Sequence, residues 1–319
     1  MASSLLIGLV MAACSPSQPA ATIPAAMRAT NSIILVKSPT PSATSTQFET
    51  PTPRSSPSVT LSPSPSPTPT HTRLPPTLTP TAFACPGQSG RIETGSLTLE
   101  YLSYPLNFRI YLPPCYDEQP ERRYPVLYLI HGQFYTDDQW VRLGVPETCD
   151  ALVANKELAP FLIVMPRDQA WKQPSVDRFG QALIEALLPW VEAHYRTLPD
   201  REYRAIGGIS RGAAWAVHLG LSQWKLFGAV GAHSLPVFWE DVPEIGRWID
   251  QIPFESLPRL FLDVGDHDRP EVLESASWFE RLLTDKGIPH EWHMFSGEHE
   301  ETYWFSHVEQ YLRWYAADW

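Results

Sequence analysis

Gly208-Ile209-Ser210-Arg211-Gly212 leaves this chain few ways to fold around it. The pattern G-x-S-x-G sets a serine on a sharp, strained turn, and such a turn belongs between a strand and a helix. Both flanks are present. Tyr203-Arg204-Ala205-Ile206-Gly207 reads as a short strand, and Ala213-Ala214-Trp215-Ala216-Val217-His218-Leu219 as a helix. The glycines have a steric reason. A Cβ on either side of the serine would collide with the neighbouring strand or helix. The pattern is that of a nucleophile elbow, which pushes the Ser210 hydroxyl outward.

Apolar runs and helical patterns alternate on both sides of this turn. Leu97–Tyr101 and Asn107–Leu112 have the period-two pattern of strands. Val126–Ile130 and Phe161–Met165 are continuous apolar runs, as expected of strands buried on both faces. Further strands are expected at 226–230, 259–264 and 290–295, and helices at 150–158, 179–195, 271–286 and 303–315. Strands alternating with helices predict an α/β fold: a mostly parallel central sheet with helices on both faces and no large lid.

A serine hydroxyl needs a base, and the base needs an orienting acid. In parallel sheets such groups sit on loops at the carboxyl ends of strands. Past the strand ending at Val264 comes Gly265-Asp266-His267-Asp268, in which Asp263, Asp266 and Asp268 compete. Asp268 is placed to reach a histidine. Past the strand ending at Phe295 comes Ser296-Gly297-Glu298-His299, which makes His299 the expected base. The expected oxyanion donors are the backbone N–H groups of Arg211, directly after the serine, and Gln133, in the loop His131-Gly132-Gln133. Phe134, Tyr135, Trp171, His233 and Trp304 are candidates to line a substrate pocket. HExxH is absent and His290-x-x-His293 is not a metal motif, so no metal site is expected.

Taken together, Tyr124 to Gly132, the elbow, Gly-x-x-Asp at 265 to 268 and Gly-x-His at 297 to 299 resemble the Putative esterase family, over about residues 91 to 317. That family includes esterase D, feruloyl and acetyl-xylan esterases, enterochelin esterases and mycolyltransferases. The resemblance implies an α/β-hydrolase fold, a Ser210–Asp268–His299 triad and no cofactor. It also implies hydrolysis of a small-molecule or carbohydrate-linked ester, with feruloyl, acetyl or another short acyl group. An acyltransferase with the same triad and an inactive surface-binding protein are the alternatives. Many members read S-M-G-G at the elbow, whereas this chain reads Ser210-Arg211-Gly212-Ala213. Two expectations follow for the Arg211 side chain: it covers the rim of the site, or it binds a substrate carboxylate.

The first quarter of the chain is different material. Residues 1–14 read as a signal peptide whose end, Ala12-Ala13-Cys14, is similar to a bacterial lipobox with Cys14 lipidated; an ordinary cleaved secretion signal is the alternative. Residues 15–84 hold 15 of the 33 prolines among Ser, Thr and Ala, and read as a disordered stalk. Residues 85–319 are the expected catalytic domain. The protein is therefore expected to be exported, at the cell surface or secreted, touching a membrane only through an N-terminal lipid. The stalk carries a net +3 of the chain's −11, which leaves −14 on the domain. So acidic a surface argues against nucleic acid as a partner. Export permits disulfides, and Cys85 with Cys115 is the expected pair, leaving Cys149 a buried thiol.

Overall fold

The computed structural model describes residues 88–319. The sequence expectations for residues 1–14 and 15–84, with Cys14 and Cys85, lie outside the described residues.

Eight strands form one sheet: β1 (Arg91–Leu97), β2 (Leu106–Leu112), β3 (Val126–Ile130), β4 (Leu162–Pro166), β5 (Arg204–Ile209), β6 (Ala229–His233), β7 (Arg259–Gly265) and β8 (Glu291–Phe295). Their order is β1-β2-β4-β3-β5-β6-β7-β8. The β1–β2 and β2–β4 pairs are antiparallel and every other pair is parallel. The helices are α1 (Gln139–Arg142), α2 (Val145–Ala154), α3 (Phe179–Ala182), α4 (Leu188–His194), α5 (Arg211–Ser222), α6 (Ile245–Gln251), α7 (Pro270–Asp285) and α8 (Glu301–Tyr315), with a π-helical turn at Leu183–Leu187 joining α3 to α4.

Alternation along the strands divides the core between two faces. Val126, Tyr128 and Ile130 of β3 join one cluster, with Phe179, Leu183 and Val191, Trp215 of α5, Ile249 of α6 and Phe279 of α7. Leu127 and Leu129 join the other, with Cys149 and Leu152 of α2 and Trp304, Val308 and Tyr311 of α8. Helices therefore cover both faces. The second cluster is locked by Tyr315, whose hydroxyl occupies the space that a Cβ would need at Gly207 of β5 and at Gly231 of β6.

Several boundaries differ from expectation. The first strand is Arg91–Leu97, and the chain turns after it, where the Leu102 amide bonds to the Leu99 carbonyl at 3.1 Å. Leu97, Leu99 and Leu102 still pack on the core, so the alternation marked burial rather than strand. The helix expected from Asp150 begins at Val145, behind a left-handed Gly144 (φ 73°) and with Pro146 in its first turn. The strand expected at 226–230 runs from Ala229 to His233. The Leu226 carbonyl is instead capped by the Arg204 guanidinium at 2.7 Å, and the Leu226 amide closes a turn on Gln223 at 2.9 Å. Helix α6 and the short α1 were not anticipated.

Cys115 is disulfide-bonded. Its expected partner Cys85 lies outside the described residues. Cys149 is a free, buried thiol that burial pushes up to about 12, a form inert toward oxidation near neutral pH.

Candidate active site

Three loops at the carboxyl ends of β5, β7 and β8 meet at one point. Ser210 directly follows β5 with φ 53° and ψ −120°, a conformation costly for a residue with a side chain. The surroundings hold it there. Its amide donates to the His233 carbonyl at 2.8 Å, and its own carbonyl accepts the Ala214 amide of α5 at 3.1 Å. A Cβ at Gly212 would stand 2.2 Å from the Ile130 carbonyl oxygen, and one at Gly208 2.4 Å from the Gly212 backbone. Only glycine lets α5 start so close to β3.

His299 bridges the serine and the acid. Its Nε2 lies 2.9 Å from Ser210 Oγ and its Nδ1 lies 2.7 Å from Asp268 Oδ1. With Asp268 ionised, Nδ1–H donates to the carboxylate and Nε2 accepts from the serine hydroxyl. Asp268 is buried, and its Oδ1 also accepts the Arg269 amide at 2.7 Å. Trp304 packs edge-on to the imidazole at 5.1 Å, while its indole N–H donates to Ser234 at 3.1 Å.

The three aspartates expected to compete have separate tasks. Asp268 serves His299. Asp266 joins the β7 and β8 loops by accepting the Gly297 amide. Asp263 is fully buried and accepts from His233 Nδ1 at 2.6 Å and from the hydroxyls of Tyr303 and Tyr311, each at 2.8 Å.

That network corrects the expectation for His233. It is fully buried, its Nε2 meets the Tyr315 hydroxyl at 3.0 Å, and its ring stacks on Tyr311 at 3.7 Å. It supports the floor of the site and has no surface open to a ligand. A strand ending at Val230 would put it on a loop, but it is the last residue of β6.

A cavity of about 110 Å³ opens over Ser210, lined by Gly132, Gln133, Phe134, Tyr135, Arg269, His299 and Trp304. Of the expected lining residues, Phe134, Tyr135 and Trp304 are therefore at the cavity. Trp171 stands beside it, exposed and edge-to-face with Phe134 at 5.7 Å. Gln133, an expected oxyanion donor, borders the same cavity as the serine. Its loop is anchored by Gln139, whose Oε1 accepts the Gly132 amide at 2.8 Å, and by His131. His131 Nδ1 meets the Gly132 carbonyl at 2.7 Å and Nε2 accepts the Asp168 amide at 3.0 Å. Burial pushes its pKa down, which keeps the ring neutral in this double role.

Arg211 does not reach substrate space with its side chain. The guanidinium is buried, 2.6 Å from Asp168 and 2.8 Å from Asp177, and donates to the Lys172 carbonyl at 2.6 Å. Burial, and then the neighbouring Asp168 charge, raise the Asp177 carboxyl, with the Phe179 amide and Arg211 opposing. Two carboxylates already compensate this cation, so the carboxylate-binding expectation for Arg211 is overturned. The residue ties the 168–177 loop to the first turn of α5. Arg269, at the cavity, was missed from the sequence. The only signal available was its adjacency to Asp268.

Among the described residues, no three His, Cys, Asp or Glu side chains gather to hold a metal ion, and no helix is long and apolar enough to cross a membrane.

The strand order and the serine turn between β5 and α5 define an α/β-hydrolase. The family model for Putative esterase matches residues 100–315, so the chain belongs to the Putative esterase family. The chain is 29% identical over 233 residues to esterase Rv1288 of Mycobacterium tuberculosis, with 56% of this chain and 49% of that protein covered. It is 26% identical over 201 residues to the endo-1,4-beta-xylanase/feruloyl esterase of Xylanibacter ruminicola, with 57% of this chain and 26% of that protein covered. The chain thus spans half or less of the length of these curated relatives. Among solved structures, a ferulic acid esterase superposes with a TM-score of 0.64 at 25% identity, over 72% of this chain and 98% of the other.

Proposed function

We propose that this protein is a serine carboxylic ester hydrolase that works through an acyl-enzyme, and that aromatic acyl esters of the feruloyl type are among its substrates. The observation that carries the reading is the unbroken line Ser210 Oγ, His299, Asp268, with contacts of 2.9 and 2.7 Å.

Ser210 Oγ attacks the ester carbonyl as its proton passes to His299 Nε2. The imidazolium is stabilised by Asp268, and the tetrahedral oxyanion is held by the N–H groups of Gln133 and Arg211. Collapse breaks the carbonyl–alkoxy bond, and His299 returns the proton to the departing alcohol. Water, deprotonated by the same nitrogen, then attacks the acyl-enzyme and frees the acid and Ser210. No step calls for a cofactor. The aromatic rims of Phe134 and Trp171 support a flat acyl group, since rings of this kind stack or meet edge-on. The names of the xylanase/feruloyl esterase and ferulic acid esterase relatives support the same class.

For the whole chain, the proposal is an exported enzyme, anchored through Cys14 and held off the surface by residues 15–84. It is supported by the apolar run, Ala-Ala-Cys and proline-rich composition of the sequence. The deciding experiment is a fluorophosphonate probe on folded protein. Labelling at Ser210, with turnover of 4-nitrophenyl acetate and methyl ferulate, is the expected result. Folded protein unlabelled at Ser210 overturns the reading.

A further inference from the structure

We propose that Arg269 makes this site select esters that carry an anionic group, a carboxylate in the simplest case, close to the scissile bond. The inference rests on the esterase reading of the Ser210 cavity.

Arg269 shares the small cavity with Ser210, His299 and Trp304, and it is exposed. Its backbone is fixed on both sides. The amide donates to Asp268 Oδ1 at 2.7 Å, and Pro270 begins α7 immediately after it. The backbone from which the side chain extends is thus fixed at the site by the residue that orients the histidine.

What sets it apart is its place: among the residues that line the cavity it is the one arginine or lysine. Among the described residues, no carboxylate oxygen lies within 4.0 Å of its guanidinium. Several arginines elsewhere on the domain are already taken by acids: Arg142 by Glu301, Arg204 by Glu192, Arg211 by Asp168 and Asp177, Arg259 by Asp318. Arg269 is therefore an uncompensated cation beside the nucleophile. An incoming carboxylate meets it without displacing another acid, and a guanidinium offers a two-pronged hydrogen-bond match to that group. The exposed ring of Phe134 lines the same opening, with Trp171 edge-on to it, and suits an apolar or flat portion of the ligand. The recognised molecule is therefore an ester with an apolar part and an anionic end. That end belongs to either the acyl or the alcohol half.

The test measures kcat/KM for two matched pairs of esters. 4-Acetoxybenzoate against 4-acetoxybenzamide places the charge on the leaving alcohol. Mono-4-nitrophenyl succinate against 4-nitrophenyl butyrate places it on the acyl group. The readout is the anionic-to-neutral ratio in wild type, Arg269→Gln, Arg269→Glu and Arg269→Lys, each checked for an unchanged Tm. For at least one pair, the ratio is expected to fall about three- to tenfold in Arg269→Gln, mainly through KM. It should fall further in Arg269→Glu, recover in Arg269→Lys and shrink with added salt. Ratios unchanged in both the Gln and Glu variants, with Ser210 still labelled by fluorophosphonate and neutral esters still turned over, overturn this inference and leave the esterase reading standing. If Ser210 resists the probe and no ester is turned over, the esterase reading fails and this inference falls with it.

Discussion

Asp266 Oδ1 accepts the Gly297 amide at 2.9 Å and so ties the loop that carries Asp268 to the loop that carries His299. The contact is reinforced by backbone bonds from Asp266 to Phe295 at 2.8 Å and from His267 to Gly297 at 3.0 Å. A Cβ at Gly265 would stand 2.3 Å from the Gly297 oxygen, so the loops abut with no side chain between them. The amide bond, and then His267, hold the Asp266 carboxyl below its usual range. Asp266 remains ionised well into acid.

Removing that tie should misplace the imidazole without removing it. Asp266→Ala is expected to lower kcat on 4-nitrophenyl acetate about three- to tenfold, since small errors of alignment are costly in rate. Asp266→Asn, which keeps an acceptor, should retain most activity. Equal kcat in the Ala variant and wild type would show that the loops hold their register unaided.

The relay itself should respond in a graded way. Ser210→Ala is expected to abolish probe labelling and to reduce kcat by about 10³-fold or more. Asp268→Asn should cost about 10⁴-fold, because a neutral amide favours the wrong imidazole tautomer. Single-turnover and steady-state kinetics on the same ester read both effects. An Asp268→Asn variant within tenfold of wild type would mean that another acid orients His299.

Arg211 makes a prediction about stability rather than specificity. Arg211→Met leaves Asp168 and Asp177 buried without their cation. The expected loss is about 3–5 kcal/mol in urea unfolding, as for other buried pairs broken on one side. Arg211→Lys should recover part of it. A Met variant as stable as wild type would contradict the compensating role.

His131 links stability to pH. Burial lowers its folded pKa, whereas the unfolded side chain titrates near ~6.5. Between those two values the unfolded state binds more protons, so this group's contribution rises with pH there. It is complete above the unfolded pKa and is lost as pH falls toward the folded one. Replacing it by Gln should flatten the acid limb of a stability–pH curve by up to about 1.4 kcal/mol per pH unit. Urea unfolding at pH 5.0 to 7.5 measures the difference, and parallel curves for the two proteins would exclude His131 as its source.

The legible parts of this chain were those in which backbone geometry demands a residue type. The elbow needs its glycines because α5 begins against β3, and that requirement is visible without coordinates. Asp268 and His299 were legible because each follows a late strand, β7 and β8, in the expected order. His233 was misplaced because three residues of register in β6 separate a loop position from a buried one, and that register is set by Arg204 capping Leu226. Arg211 was misread for a related reason. Its partners Asp168 and Asp177 lie over thirty residues upstream, and nothing local announces them. Arg269 stayed hidden because the absence of a partner is a property of three-dimensional surroundings alone.

The position of Tyr315 bears on how the protein is made. Its hydroxyl wedges against the glycines at the middle of β5 and β6, strands encoded more than eighty residues earlier. A chain cut short before α8 can therefore align those two strands but cannot close the layer above them. Such a truncation is expected to leave an open, aggregation-prone sheet rather than a smaller folded domain.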